Sequence, residues 1–256
     1  MPEIIVVANQ KGGVGKTTTS INLAAALHKI NRKTLLVDLD SQGNATSASG
    51  LNRSTEKASV YDVLMGLKNI EECFVTSEHD GFTLLPSNSD LMAAEIEMLS
   101  LQNRESVLKE KINSISGRFD YILIDSPPSM NILTLNALAA ANEIIIPVQC
   151  EYYALEGMSG LLESIYKIKE TINPNLQIKG VLRTMFDSRN SLSVEVSAQL
   201  KKYFGDKLFW TFIPRNVRLA EAPSHGMSAV SYDPECLGSK AYLSLAKEVT
   251  KKTMES

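Results

Sequence analysis

Seven consecutive residues, Lys11-Gly12-Gly13-Val14-Gly15-Lys16-Thr17, bring together three glycines, two lysines and a hydroxyl. That combination is suited to a triphosphate. Glycines leave no Cβ in the way, so backbone amides can close around phosphate oxygens. Lys16 offers a positive charge to the β- and γ-phosphates, and Thr17 offers a hydroxyl to Mg²⁺. Thr18 then begins a helix whose N-terminus faces the α-phosphate. The general phosphate-loop pattern asks for glycine at position 10; Gln10 stands there instead, and Lys11 opens the loop. Carboxylates form two further stations, Asp38-Leu39-Asp40 and Asp125, each closing an apolar run. Such an acid can hold Mg²⁺ through water or simply cap a neighbouring element. The joint occurrence of all three stations favours nucleotide chemistry.

The elements that must position these residues alternate between strand and helix. Ile4–Ala8 is a continuous apolar run, as expected of a parallel strand buried on both faces. Further strands are expected at Thr34–Val37, Phe82–Leu85, Tyr121–Ile124, Glu143–Val148, Ile178–Leu182 and Phe209–Ile213. Helices are expected at Lys16–His28, Val60–Leu67, Asp90–Leu101, Glu105–Ile115, Gly157–Ile172, Val194–Phe204 and Lys240–Val249. Ser41–Thr55, rich in Ser, Gly and Asn, reads as a long loop. The pattern predicts a doubly wound α/β fold: a mostly parallel sheet, helices on both faces, one domain over residues 1–256. Ligands of such sheets sit at the carboxyl ends of the strands, where the three stations fall.

Composition narrows the function classes. Hydrophobic residues are 44% and charged residues 21% of the 256, enough for a full core and against disorder. No apolar run approaches a membrane span, and Met1-Pro2-Glu3 carries no export signal. Cys73, Cys150 and Cys236 are odd in number and far apart, which fits a reducing cytoplasm; His28, His79 and His225 show no metal-ligand spacing. The net charge is −3, yet Gln177–Ala220 holds eight basic and three acidic residues, +5 against −8 elsewhere. That segregation is compatible with a polyanionic partner.

The motifs KGGVGKTTT at Lys11–Thr19, VDLDSQGNAT at Val37–Thr46, LIDSPPS at Leu123–Ser129, LTLNALAAA at Leu133–Ala141, VQCEYYALEG at Val148–Gly157 and IPRNVRLAEAPSHG at Ile213–Gly226 resemble the ParA/Soj chromosome- and plasmid-partitioning ATPases. These form part of the ParA–MinD group of deviant Walker A P-loop ATPases, and the resemblance runs from Ile4 to about Ala246. It implies ATP and Mg²⁺ as ligands, with a nucleotide site over Lys11, Gly12, Gly13, Val14, Gly15, Lys16, Thr17 and Thr18. Lys11 matches the lysine that reaches a partner subunit's nucleotide; Lys16 and Thr17 match the phosphate lysine and the magnesium ligand. Asp40 matches the acid that positions the attacking water and Asp125 the Walker B acid, and Thr17, Asp40 and Asp125 together make up the implied metal set. Met185, Pro214 and Asn216 fall where the family packs against adenine, and Arg189 and Arg218 where Soj-like proteins grip DNA. Position 41 is Ser where relatives usually have Pro.

The resemblance thus implies a dimerising ATP switch, cytoplasmic and nucleoid-associated. Its ATP-bound homodimer would bind double-stranded DNA without sequence preference. It would hydrolyse ATP, slowly alone and faster with a ParB-type centromere-binding protein. An alternative is a MinD-like, membrane-recruited regulator of the division site. That role needs a C-terminal amphipathic helix, and Glu248–Ser256 has too few large apolar residues, so no stable membrane anchor is expected. A metabolic relative such as the nitrogenase iron protein would need a second suitable cysteine beside Cys150. The start of the sequence at its first strand predicts no preceding helix-turn-helix domain.

Overall fold

Alternate residues of the central strands go to opposite faces of a sheet, and here both faces are buried. Ile4, Val6, Leu35, Val37, Ile122 and Ile124 join one apolar cluster; Ile5, Leu36, Leu123 and Ile145 join the other. The computed structural model describes residues 1–52, 58–152 and 154–254. Its strands are β1 (Glu3–Val7), β2 (Thr34–Asp38), β3 (Val75–Thr76), β4 (Thr83–Leu85), β5 (Tyr121–Asp125), β6 (Glu143–Gln149) and β7 (Gln177–Thr184). They form one sheet in the order β3-β4-β2-β5-β1-β6-β7, parallel except for the β3/β4 pair. The α/β architecture expected from the sequence is the one observed.

The helices are α1 (Lys16–Lys29), α2 (Asn44–Ala48), α3 (Val60–Leu64), α4 (Leu91–Glu97), α5 (Val107–Asn113), α6 (Ile132–Ala140), α7 (Ala154–Thr171), α8 (Ser191–Phe204), α9 (Val217–Glu221), α10 (Ala229–Tyr232) and α11 (Leu237–Met254). Residues from α1, α2, α10 and α11 line one face of the sheet, and residues from α3 to α8 the other. On α11, Tyr242, Leu245, Ala246 and Val249 recur at helical spacing and are all buried in the cluster shared with α1. No helix of the described residues is long and apolar enough to cross a membrane.

The expected elements need correction in several places: α3 ends at Leu64 where a helix to Leu67 was expected, and the short helices α9 and α10 were not expected. The stretch expected as a loop from Ser41 contains α2, because buried Asp38 accepts hydrogen bonds from Thr46 N and Oγ1, both at 2.7 Å, and draws that turn in; residues 53–55 of the stretch lie outside the described residues. Helix α6 and the two-residue strand β3 were not anticipated. Leu133–Ala141 is apolar nearly all round, and two residues are too few for a periodic signal. Phe209–Ile213 is not a strand. Phe209 N and Ile213 N reach the Val181 and Arg183 carbonyls of β7 at 3.0 and 2.8 Å, and the flanking Leu208 and Pro214 make isolated bridges, but between them the amides of Trp210 and Thr211 turn away to the Glu248 carboxylate at 2.8 and 2.9 Å, so no ladder forms. The expected helix Asp90–Leu101 is shorter, with α4 tightening into a 3₁₀ turn at Met98–Ser100.

Candidate nucleotide-binding site

The loop after β1 is tied down on both sides before any ligand enters. Asn9 donates from Nδ2 to the Pro147 carbonyl on β6 at 2.7 Å, while its Oδ1 accepts from Lys11 N at 3.0 Å. Thr184 Oγ1 on β7 donates to the Val14 carbonyl at 2.8 Å. Gly13 and Gly15 hold φ of 74° and 87°, a left-handed backbone that favours glycine. A Cβ on Gly12 or Gly13 would point into open space, so the cradle is clear. Gly15 caps α1 without a side-chain hydrogen bond, leaving that helix end suited to an anion. Lys16 is buried and its Nζ donates back to the Lys11 carbonyl at 3.3 Å. Burial lowers its pKa, opposed by the charges of Asp125 and Asp40.

Strands β2 and β5 bring the acids to the same end of the sheet. Asp125 is fully buried; its Oδ2 accepts from Thr17 Oγ1 and its Oδ1 from Ser20 Oγ, each at 2.8 Å. Burial, and then the charge of Asp38, push its pKa up to about 7. Asp38 itself is pushed by burial up to about 6 and is spent on Thr46 and the Asp40 amide. Asp40, 8% exposed, accepts from Gln42 N at 2.9 Å. Hydroxyl and carboxylate oxygens beside a phosphate cradle are the hard donors Mg²⁺ takes, with phosphate oxygens and water completing its octahedron. No three His, Cys, Asp or Glu side chains gather into a cage among the described residues. The donor set therefore fits a magnesium ion that arrives with a phosphate group.

A second wall follows from β7 and the chain beyond it. Gly13, Gly15 and Thr18 line a cavity of about 410 Å³ with Met185, Pro214 and Asn216, so six residues expected at the nucleotide converge on one space. Met185 has φ of 49°, a strained left-handed conformation for a non-glycine. Asn216 Oδ1 is committed to capping α9 through Arg218 N at 2.9 Å. Lys11 takes the other direction: its Nζ pairs with Glu151 Oε2 at 3.0 Å, both side chains about half exposed.

The two arginines expected at DNA are on the surface but neutralised. Arg189, 89% exposed, grips Asp187 through Nε and Nη2, and Arg218 pairs with Glu221 at 2.7 Å and Asp233 at 3.3 Å. The +5 segment also shrinks at the surface. Lys179 is buried between Glu3 and Glu143, and Arg183 is half-buried against Ser197 and the carbonyls of Phe209 and Trp210.

Sequence reasoning missed four contributors. Ser20 lies one turn past Lys16 on α1, on the side facing Asp125; the i, i+4 spacing was the available signal. Thr184, Glu151 and Tyr242 carried none. Tyr242 comes from α11 to line the cavity and meets Thr19 Oγ1 at 3.2 Å, a contact 223 residues apart in sequence.

A mostly parallel sheet with a glycine-lysine loop after β1 and a buried acid ending β5 defines a P-loop nucleoside triphosphatase. The profile of a family described as "AAA domain" matches residues 2–178. The chain is 47% identical to sporulation initiation inhibitor protein Soj of Bacillus subtilis over 97% of its own length and 98% of that protein. It is 45% identical to chromosome partitioning protein ParA of Caulobacter vibrioides, over 96% and 93%. Its fold matches cobyrinic acid a,c-diamide synthase from Mycobacterium smegmatis, crystallised with an ATP analog and magnesium, with a TM-score of 0.86 at 36% identity and coverage of 98% and 95%. The chain belongs to the ParA/Soj family of chromosome-partitioning ATPases.

Proposed function

We propose that this protein is an ATP-driven dimerisation switch for chromosome or plasmid segregation. The observation that carries the reading is the division of labour between the two loop lysines: Lys16 folds over the phosphate cradle while Lys11 stands at the surface on Glu151. In this reading one lysine serves the chain's own nucleotide, and the other reaches that of a second copy. Thr17 and Asp125 would hold Mg²⁺, which supplies compensation for phosphate charge when bound. The amides of residues 12–17 and Lys16 bind and orient the triphosphate, and the cavity of Met185, Pro214 and Asn216 takes the base. Asp40 orients the attacking water, and Lys11 of the partner subunit neutralises charge that grows in the transition state. Hydrolysis is slow until a ParB-type partner stimulates it.

The ATP dimer binds duplex DNA through Arg189 and Arg218 without sequence preference, which places the protein on the nucleoid within the cytoplasm. The MinD-like alternative requires a free amphipathic helix, whereas the apolar side of α11 is buried in the core. Size-exclusion chromatography with ATP, with ADP and with neither, repeated with DNA, tests the switch. At about 10⁻⁶ M chain, below the range of weak contacts, a dimer in ATP alone, and DNA co-elution of that dimer alone, is the expected result; equal behaviour in ADP overturns it.

A further inference from the structure

Among the described residues, two exposed apolar surfaces outside the nucleotide site lie toward opposite edges of the sheet. The first is on α4, which follows β4, and on the 3₁₀ turn that continues it. Leu91, Ala94 and Met98 face the core, while Met92, Ile96 and Leu99 are exposed at spacings of four and three, Ile96 at 75%. Ile96 sits between Glu95 and Glu97, and Asp90 is exposed at the helix start. Helix α4 thus presents an aliphatic knob among carboxylates.

The second surface lies at the edge of the sheet, where residues 208–214 run along β7. A cavity of about 340 Å³ is walled by Leu208, Phe209, Trp210 and Phe212. Trp210 is 77% exposed, and its backbone is held by Glu248, so the indole is presented on a fixed loop. Gly180 allows Phe209 its place, since a Cβ there would meet the phenyl ring at 2.5 Å. The rim is basic. Lys201 Nζ stands 4.9 Å from the Trp210 ring centroid, and Arg183 donates only to neutral oxygens. Asp206 is the one carboxylate residue in the lining. Exposed tryptophan beside arginine is the composition of an interface hot spot.

We propose that Glu95-Ile96-Glu97 of one copy docks in the Trp210 cavity of a second copy. Ile96 fills the aromatic space, and its flanking carboxylates meet Lys201 and Arg183. The contact is heterologous: each docking event leaves one knob and one cavity unused, so association continues with concentration instead of closing at two. A single anchor and a few charge pairs make a small, transient interface, opposed by salt. It does not use the phosphate loop or Lys11.

The test is sedimentation velocity on the full chain without nucleotide, from about 10⁻⁶ to about 10⁻⁴ M, a range suited to a weak contact. The mean mass is expected to rise above the 28.1 kDa of one chain, and to fall back at high salt. Trp210→Ala should weaken association about tenfold. A chain carrying Glu95→Lys with Glu97→Lys, and another carrying Lys201→Glu, should each remain single when alone, through repulsion of like charges. Mixed together, they should associate again, because every knob then meets a cavity of opposite charge. A mass that stays at one chain throughout, association indifferent to Trp210→Ala, or a mixture that behaves as its separate components would each overturn the proposal.

Discussion

Lys11 and Lys16 are five residues apart and have opposite surroundings. Lys16 is buried and bonded to the loop it serves, so Lys16→Ala should abolish ATP binding in equilibrium titration. The Lys11–Glu151 pair is half exposed; such pairs contribute about 1 kcal/mol or less, so Lys11 can leave Glu151 at little cost. Lys11→Ala should bind ATP normally yet form no dimer on gel filtration, with hydrolysis down about 10²–10³-fold. Normal dimerisation by that variant would remove Lys11 from the mechanism. Asp40 has its own test. Its carboxylate accepts from a local amide, Gln42 N, and its charge reaches both Lys16 and Asp125. Asp40→Ala should bind ATP, dimerise and stay dimeric, with phosphate release slowed about 10²–10⁴-fold. A variant that remains monomeric in saturating ATP would make Asp40 a binding residue instead.

At the scale of elements, the opposite end of the sheet is held by buried charge. The β6–β7 register shifts between Ile144 and Ile145, whose partners are Ile178 and Gly180, so Lys179 is the extra residue of a bulge. Its ammonium enters the space between Glu3 on β1 and Glu143 on β6, and also donates to Thr253 on α11 at 2.8 Å. The contact with Glu143 Oε2 is 2.7 Å, close as an ion pair but misaligned as a hydrogen bond. Burial, and then the hydrogen bond with Glu3, push Glu143 up to about 7. From the ordinary 4.5 to about 7 the folded chain therefore binds a proton that the unfolded chain has lost. The contribution of Glu143 to stability must fall as pH rises through that window and level out above it, whereas Glu3, shifted down, contributes with the opposite sign at lower pH. Glu143→Gln keeps the shape and removes the titration. Its melting temperature should decline less between about pH 5 and about pH 8, and at the upper end should exceed that of the parent. Some decline should persist, because Asp38 and Asp125 are shifted in the same direction. A parent chain whose melting temperature rises through this window would contradict the assignment.

For the whole molecule, the arrangement of charge decides how DNA could be held. Arg189 and Arg218 are exposed, but each already has a carboxylate partner, so a phosphate must displace Asp187, Glu221 or Asp233. Binding by one chain should be weak, and two chains on one duplex would combine their contacts. Arg189→Glu and Arg218→Glu should each weaken DNA binding by the ATP dimer and leave dimerisation intact. Asp187→Asn should do the reverse, strengthening binding by releasing Arg189. Filter binding at two salt concentrations with unrelated duplexes checks both directions. Affinity should fall with salt and hardly vary with sequence. Weaker binding by Asp187→Asn would show that Asp187 orients Arg189 rather than competing for it.

Local chemistry made much of the phosphate end legible in advance. Glycines, Lys16 and Thr17 belong to one short loop, and apolar runs of four or five residues mark buried strands whose ends carry Asp38, Asp40 and Asp125. The cavity proposed for the base was legible only through family motifs, since Met185 and Pro214 are joined to Gly13 by strand order and not by spacing. Other features depended on contacts between distant segments. Ser20, Thr184 and Tyr242 act through partners 105, 170 and 223 residues away. The sequence presents Lys179 and Arg183 simply as cations in a basic stretch; a register shift buries the first, and carbonyls of the segment after α8 hold the second. A linear charge count cannot distinguish a surface lysine from one inside an ion cluster. Burial depends on which strands become neighbours, and only the assembled sheet sets that.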